Sequence, residues 1–133
     1  MGRILTRVTI GGFVEPEREI HCDALVDTGA YSLTLPAAWK SRLGPLPVSR
    51  EVEAVTADRR VLNAEIAGPV TIRIEGFKTV TGEVLFLPTE SEDASFEPLI
   101  GYITLEQAGI VVDMVGHRLV PAPHFDLKSA PVA

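Results

Sequence analysis

The stretch Ala24-Leu25-Val26-Asp27-Thr28-Gly29-Ala30-Tyr31-Ser32 decides how this chain is read. Apolar residues lead up to a carboxylate, and a small hydroxyl residue and a glycine follow it at once. Upstream, Arg18 to Val26 alternates. Ile20, Cys22, Ala24 and Val26 share one face while His21 and Asp23 take the other, which is the two-residue period of a half-buried strand. Downstream, Leu33-Thr34-Leu35 resumes a strand until Pro36. A β-turn alone would account for Asp-Thr-Gly, because Asp and Gly are common in turns for conformational reasons. The close apolar flanks argue for more. They put the Asp27 carboxylate in a semi-buried setting, which is costly without a purpose.

Working outward, the same strand-and-turn rhythm covers the chain. Val, Ile and Thr number 15, 9 and 10, and Gly and Pro add 11 and 10, a composition that favours short strands and turns over long helices. Arg3 to Ile10 reads as a strand ended by Gly11-Gly12. Pro36 to Gly44 reads as a short helix, with Pro near its first position and Gly44 as its stop. Glu51 to Thr56 and Val61 to Ile74 are strands about the polar corner Ala57-Asp58-Arg59-Arg60, the second interrupted at Gly68-Pro69. Thr79 to Leu87 is another strand, and 88–98 is an acidic, solvated loop. Leu99-Ile100-Gly101 is an apolar run ending in glycine. A short helix from Ile103 to Ala108 stops at Gly109, and Ile110 to Val120 forms a last hairpin around Gly116-His117. Residues 1–120 then make one domain and 121–133 a tail.

The bulk numbers exclude several classes of function. With 133 residues, 46% hydrophobic and 23% charged, the chain has an ordinary globular composition. Its formal net charge is −6 and it has no basic run, so nucleic acid is not an expected partner. No stretch approaches the roughly 20 apolar residues of a membrane span, and the N-terminus has no signal-peptide core, so no membrane partner is expected. Cys22 is the single cysteine, which fits a reducing cytoplasm. It lies on the apolar face of its strand and reads as a core residue. His21, His117 and His124 have no helical-spaced partner and no nearby cysteine, so no metal site is expected. Trp39 reads as an anchor for the first helix, and Asp113 as a structural hydrogen-bonding carboxylate.

The segment from Ala24 to Ser32 resembles the active-site segment of the retropepsin-like (clan AA) aspartic proteases. A second match follows in the expected order: Pro98-Leu99-Ile100-Gly101, a short helix through Leu105, and Val111-Val112-Asp113 are similar to the family's hydrophobic-hydrophobic-Gly motif with its helix and strand. The resemblance spans most of residues 3 to 120 and is closest to the small bacterial single-domain members. It implies an all-β, closed acid-protease-type barrel with one or two short helices and one Asp-Thr-Gly per chain.

That resemblance carries chemical expectations. Peptide hydrolysis of this kind needs two carboxylates facing one water and sharing one proton. The chain has one copy of the motif, so the second Asp27 is expected from another chain across a two-fold axis, in a homodimer. Thr28 would brace the two loops, and Gly29 and Ala30 would line the cleft with the Gly29 carbonyl open to the substrate backbone. A polypeptide would bind between the paired aspartates and a flap formed by Val52 to Glu65, its tip bringing Asp58, Arg59 and Arg60 to the cleft mouth. Leu25, Thr34 and Ile100 would build the apolar pockets. No cofactor is called for, since water is the nucleophile. Tyr31 and Tyr102 occupy the positions where viral members commonly carry an acidic residue and an arginine, so an aromatic contact is expected in place of an ion pair. A non-catalytic peptide-binding or dimerisation module on the same fold is the alternative.

Overall fold

The computed structural model describes residues 3–56, 58–88 and 97–125. The alternation upstream of Asp27 becomes β2 (Glu19–Val26), paired antiparallel with β1 (Leu5–Gly12) from Leu5 opposite Leu25 to Gly11 opposite Glu19. Beyond the Asp27 turn the chain returns as β3 (Leu33–Pro36). β2 and β3 are not neighbours. The two-residue β7 (Leu99–Ile100) lies between them, parallel to β2 and antiparallel to β3. The sheet continues through β6 (Val80–Leu87) to β5 (Val61–Ile74), and β5 pairs back onto β1, closing a six-stranded ring. β4 (Val48–Val55) hangs outside the ring on β5.

The 14 residues of β5 make this closure possible. Its first half pairs with β4 and its last residues, Val70 to Ile74, pair with β1. The change of partner is made at Gly68-Pro69, where the register with β6 shifts between Ala67 and Val70. The sequence reading took these two residues as an interruption. They form a bulge, which bends a strand without ending it and tolerates a proline. Gly11-Gly12 is likewise not a turn. Both glycines continue β1, with Thr71 and Val70 opposite them on β5.

The barrel interior holds Val8 and Ile10 from β1, Leu33 and Leu35 from β3, and Val84 and Phe86 from β6, each at most 1% exposed. Burying each such side chain contributes about 1.5–3 kcal/mol before entropy is counted. Cys22 is half-buried against this core, and burial, then the charge of Asp23, pushes its thiol up. A 3-10 helix (Ala37–Leu43) follows Pro36 and stops at Gly44. It covers one end of the barrel through fully buried Leu43 and through Trp39, over whose ring the Arg42 guanidinium lies at 5.0 Å.

Helix α1 (Tyr102–Ala108) packs on the barrel through Leu105, and Gly109 ends it in the left-handed conformation. The chain finishes in a separate hairpin of β8 (Ile110–Asp113) and β9 (Arg118–Pro121). Its turn is held by Asp113, whose carboxylate accepts from the N–H groups of Val115 and Gly116 and from Arg118. Those bonds, the one from Gly116 first, hold its carboxyl below the ordinary range. The tail expected from 121 starts as the last residue of β9, and the Ala122 N–H donates to the Gly109 carbonyl at 2.7 Å. Residues 126–133, and Glu90, Glu92 and Asp93 of the expected acidic loop, lie outside the described residues.

Candidate active site

Asp27 leaves the end of β2 where β2 and β3 part around β7. Four backbone hydrogen bonds tie its loop to the segment 100–103. The Asp27 N–H donates to the Ile100 carbonyl at 2.9 Å, and the Gly101 N–H to that of Ser32 at 3.1 Å. The Tyr102 N–H reaches the Ala30 carbonyl and the Ile103 N–H the Tyr31 carbonyl, both at 2.9 Å. Residue 101 has to be glycine. A Cβ there would stand 2.4 Å from the Ser32 nitrogen, 2.5 Å from the Ala30 oxygen and 2.6 Å from the Tyr31 carbonyl carbon, all backbone atoms unable to yield. Behind the loop, Thr104 is 1% exposed and its hydroxyl accepts the Leu33 N–H at 2.9 Å.

Asp27-Thr28-Gly29 and Leu99-Ile100-Gly101, 72 residues apart in sequence, thus form one bonded unit. Asp27 Oδ1 accepts the Gly29 N–H at 2.9 Å, which fixes the carboxylate plane. Oδ2 accepts no hydrogen bond among the described residues. Thr28 and Gly29 are exposed and Ala30 is half-buried.

A cavity of about 770 Å³ opens beside this carboxylate. Leu99, Thr34, Leu85 and Ile66 form its floor. They are successive cross-strand partners on β7, β3, β6 and β5, so their side chains make one row. Asp27, Gly29, Ala30 and Tyr31 form one wall. Val52 to Val55 of β4, with Thr56 just beyond it, form the opposite one. Among the described residues, Asp27 and Glu53 are the charged residues of the lining, and Glu53 is exposed on the face of β4 opposite that of Val52 and Ala54.

The segment Val52 to Glu65, expected as a flap, forms the end of the β4–β5 hairpin. Its base is tied down by Lys40 to Glu65 at 2.8 Å and Arg50 to Glu83 at 3.3 Å. The Lys40 ammonium holds the Glu65 carboxyl below its ordinary range. At the tip, Asp58 accepts from the Thr56 hydroxyl and from Arg60 Nε at 3.0 Å, and the Arg60 N–H donates to Thr56 Oγ1 at 3.1 Å. The Thr56 hydroxyl, then Arg60, lower the Asp58 carboxyl. Ala57 lies outside the described residues.

Of the residues expected to bind substrate, Thr34 lines the cavity. Ile100 is fully buried on the core side of β7, and its neighbour Leu99 takes the cleft side because alternate residues of a strand face opposite ways. Leu25 sits next to Leu99 in the cross-strand row but beyond the cavity. Asp58, Arg59 and Arg60 are exposed at the flap tip and do not line the cavity, and Asp58 offsets one of the two arginine charges. The sequence does not point to Leu85, Leu87, Ile66 and Leu99 as cleft residues, and all four line the cavity. The alternation along Val84-Leu85-Phe86-Leu87 marks two faces but not which of them meets the cleft. The expected aromatic contact is present. The Tyr31 and Tyr102 rings meet edge to face, with centroids 5.8 Å apart and an interplanar angle of 89°.

No protein-family model matches the chain, and no curated protein matches it. Among solved structures, EIAV protease complexed with an inhibitor aligns with a TM-score of 0.57 at 20% identity, over 79% of this chain and 86% of that one. The similarity establishes the fold: an all-β acid-protease barrel of the retropepsin type. No helix among the described residues is long and apolar enough to cross a membrane.

Proposed function

Taking a retropepsin-type barrel with Asp27 at the wall of its cleft as the premise, we propose that the protein is an aspartic endopeptidase that works as a homodimer. The observation that carries this reading is the Asp27 carboxylate, oriented by the Gly29 N–H and facing a largely apolar cavity between the barrel floor and the β4–β5 hairpin. An extended polypeptide fits such a cleft, with its side chains on the Leu99-Thr34-Leu85-Ile66 row and its backbone between Gly29 and β4.

A single carboxylate cannot both take a proton from water and give one to the leaving amine in the same encounter. Two can, if they share one proton. The two-fold partner supplies the second. Exposed Thr28 stands at the loop apex, where it would brace its counterpart, and Gly29 and Ala30 keep the loop small beside the water. Asp27 of one chain removes a proton as the water attacks the scissile carbonyl carbon. The partner's protonated carboxyl hydrogen-bonds the carbonyl oxygen. The amine leaves with a proton, and the pair returns to its singly protonated form. The domain, 1–120, works with no cofactor, and the lone thiol of Cys22 suits the cytoplasm.

The test is cleavage of a peptide library. Asp27→Asn lowers kcat by about 10³-fold or more while the protein keeps its far-UV spectrum and unfolding midpoint. Specific activity of the wild type also falls on dilution below the dimer dissociation constant, in step with mass measured by sedimentation. Full activity in Asp27→Asn removes the assignment, and constant specific activity from a monomer removes the shared site. A second reading is favoured by the neutral Tyr31–Tyr102 pair beside the loop: a peptide-binding or dimerisation module without cleavage. Peptide binding that survives in a protein with no Asp27-dependent turnover would select it.

A further inference from the structure

Among the described residues, Tyr31 is the one aromatic residue of the cavity lining, and it is 46% exposed. A half-exposed ring in a cleft floored by Leu99, Leu85 and Ile66 extends the apolar surface toward solvent, beyond the carboxylate. Its position is unusually well determined for an exposed residue. Its carbonyl accepts the Ile103 N–H, its neighbour Ala30 accepts the Tyr102 N–H, and its ring rests edge to face on Tyr102. Tyr102 is itself 41% exposed, at the start of α1, and does not line the cavity. Its contact with Tyr31 removes rotamer freedom from the ring before any ligand arrives, so a ligand meets a pre-ordered surface.

From this we infer that Tyr31 sets the specificity of the cleft by favouring an aromatic side chain at one position of the bound peptide, and that Tyr102 is its positioning residue. The inference rests on the reading of the cavity as a peptide cleft and adds the class of peptide. Aromatic rings gain from edge and offset contacts at centroid distances of 4.5–7 Å beyond what area alone supplies. The Tyr31 surface left free by Tyr102 offers such a contact. An acidic side chain at that position gains no ring contact, and the charge of Asp27 repels it. In a two-fold dimer each chain contributes one Tyr31, so the preference recurs at two positions disposed about the scissile bond.

Fluorogenic decapeptides, with Phe, Leu or Glu placed in turn at each position, measure this directly. The wild type should favour Phe over Leu by about 2- to 10-fold in kcat/KM at the responsive positions, with Glu poorest. The Phe-to-Leu ratio should persist in Tyr31→Phe and fall to about 1 in Tyr31→Leu. Tyr102→Leu should lower the same ratio part of the way, with Tyr102→Phe restoring it. Fluorescence anisotropy of the same labelled peptides with the Asp27→Asn protein gives the ratio from binding alone. A Tyr31-dependent ratio in binding, with no turnover of any peptide by the wild type, would sustain this inference and defeat the protease reading. Turnover with the same ratio in wild type and Tyr31→Leu would defeat this inference and leave the protease reading standing. Rates that fall equally for all peptides in Tyr31→Leu, or no binding of any peptide, would also overturn it.

Discussion

The loop from Asp27 to Ser32 lines the cleft while the hairpin tip from Thr56 to Arg60 touches it only through Thr56, and the two are held in opposite ways. The Asp27 loop is wired by four backbone hydrogen bonds to 100–103, backed by a glycine that admits no side chain and by the buried Thr104. The flap tip is held by the side chains of Thr56, Asp58 and Arg60 bonding within the turn itself, at the exposed end of a hairpin whose outer strand lies outside the barrel ring. The difference teaches where order is required. On the proposed reading, carboxylate geometry is fixed before substrate arrives, while the hairpin opens for an extended chain to enter. Bonds buried in packed structure cost global free energy to break, and bonds in exposed turns open locally.

Three measurements would break or sharpen this contrast. Gly101→Ala should have the largest effect, because the added methyl meets only backbone. The Asp27 loop and α1 must separate, and the variant should lose about 3 kcal/mol or more in urea unfolding together with its activity. Normal stability in this variant would show that the junction gives way easily. Thr104→Val should follow, at about 1–3 kcal/mol, since it keeps the shape but leaves the buried Leu33 N–H without its acceptor. Thr104→Ser should recover most of the loss.

The smallest effect belongs to the flap tip and depends on pH. The Asp58 carboxyl is lowered in the folded protein, first by the Thr56 hydroxyl and then by Arg60. Its contribution is therefore present above the ordinary aspartate value of about 4 and is lost as pH falls through the lower folded value. Hydrogen exchange at the Arg60 amide, corrected for intrinsic rates, should rise several-fold on acidification through that window. Asp58→Asn should show the faster exchange at all pH values. At neutral pH the urea midpoint of Asp58→Asn should match that of the wild type, because the group sits on an exposed turn. A matching shift of the global midpoint would mean that the tip belongs to the same cooperative unit as the loop.

The positions of these two turns were legible to different degrees. Asp27-Thr28-Gly29 between apolar flanks, and Leu99-Ile100-Gly101 before a short helix, stand out because local composition and spacing mark them. The alternation from Arg18 to Val26 and from Val70 to Ile74 gave strands with the correct buried face. Tyr31 and Tyr102 were expected to touch, and they do. Gly11-Gly12 and Gly68-Pro69 misled because a glycine pair or a Gly-Pro step looks the same in a turn and in a strand that bends around a barrel. Cross-strand hydrogen bonds from distant segments decide between the two.

By itself the sequence determined a chain of short strands and two short helices, with one carboxylate at a strand end between apolar runs. These follow from side-chain period, β-branching and turn chemistry, which act within a few residues. The tertiary structure alone decided that β7 slips between β2 and β3, that β5 closes on β1, and that Leu99 rather than Ile100 faces the cleft. It also decided that the arginines of the flap tip lie outside the cavity lining, with Arg60 bonded to Asp58. Each of these turns on which of two alternate faces a strand presents and which distant strand it meets. Period-two alternation marks the two faces equally well, and only packing against the rest of the barrel distinguishes them.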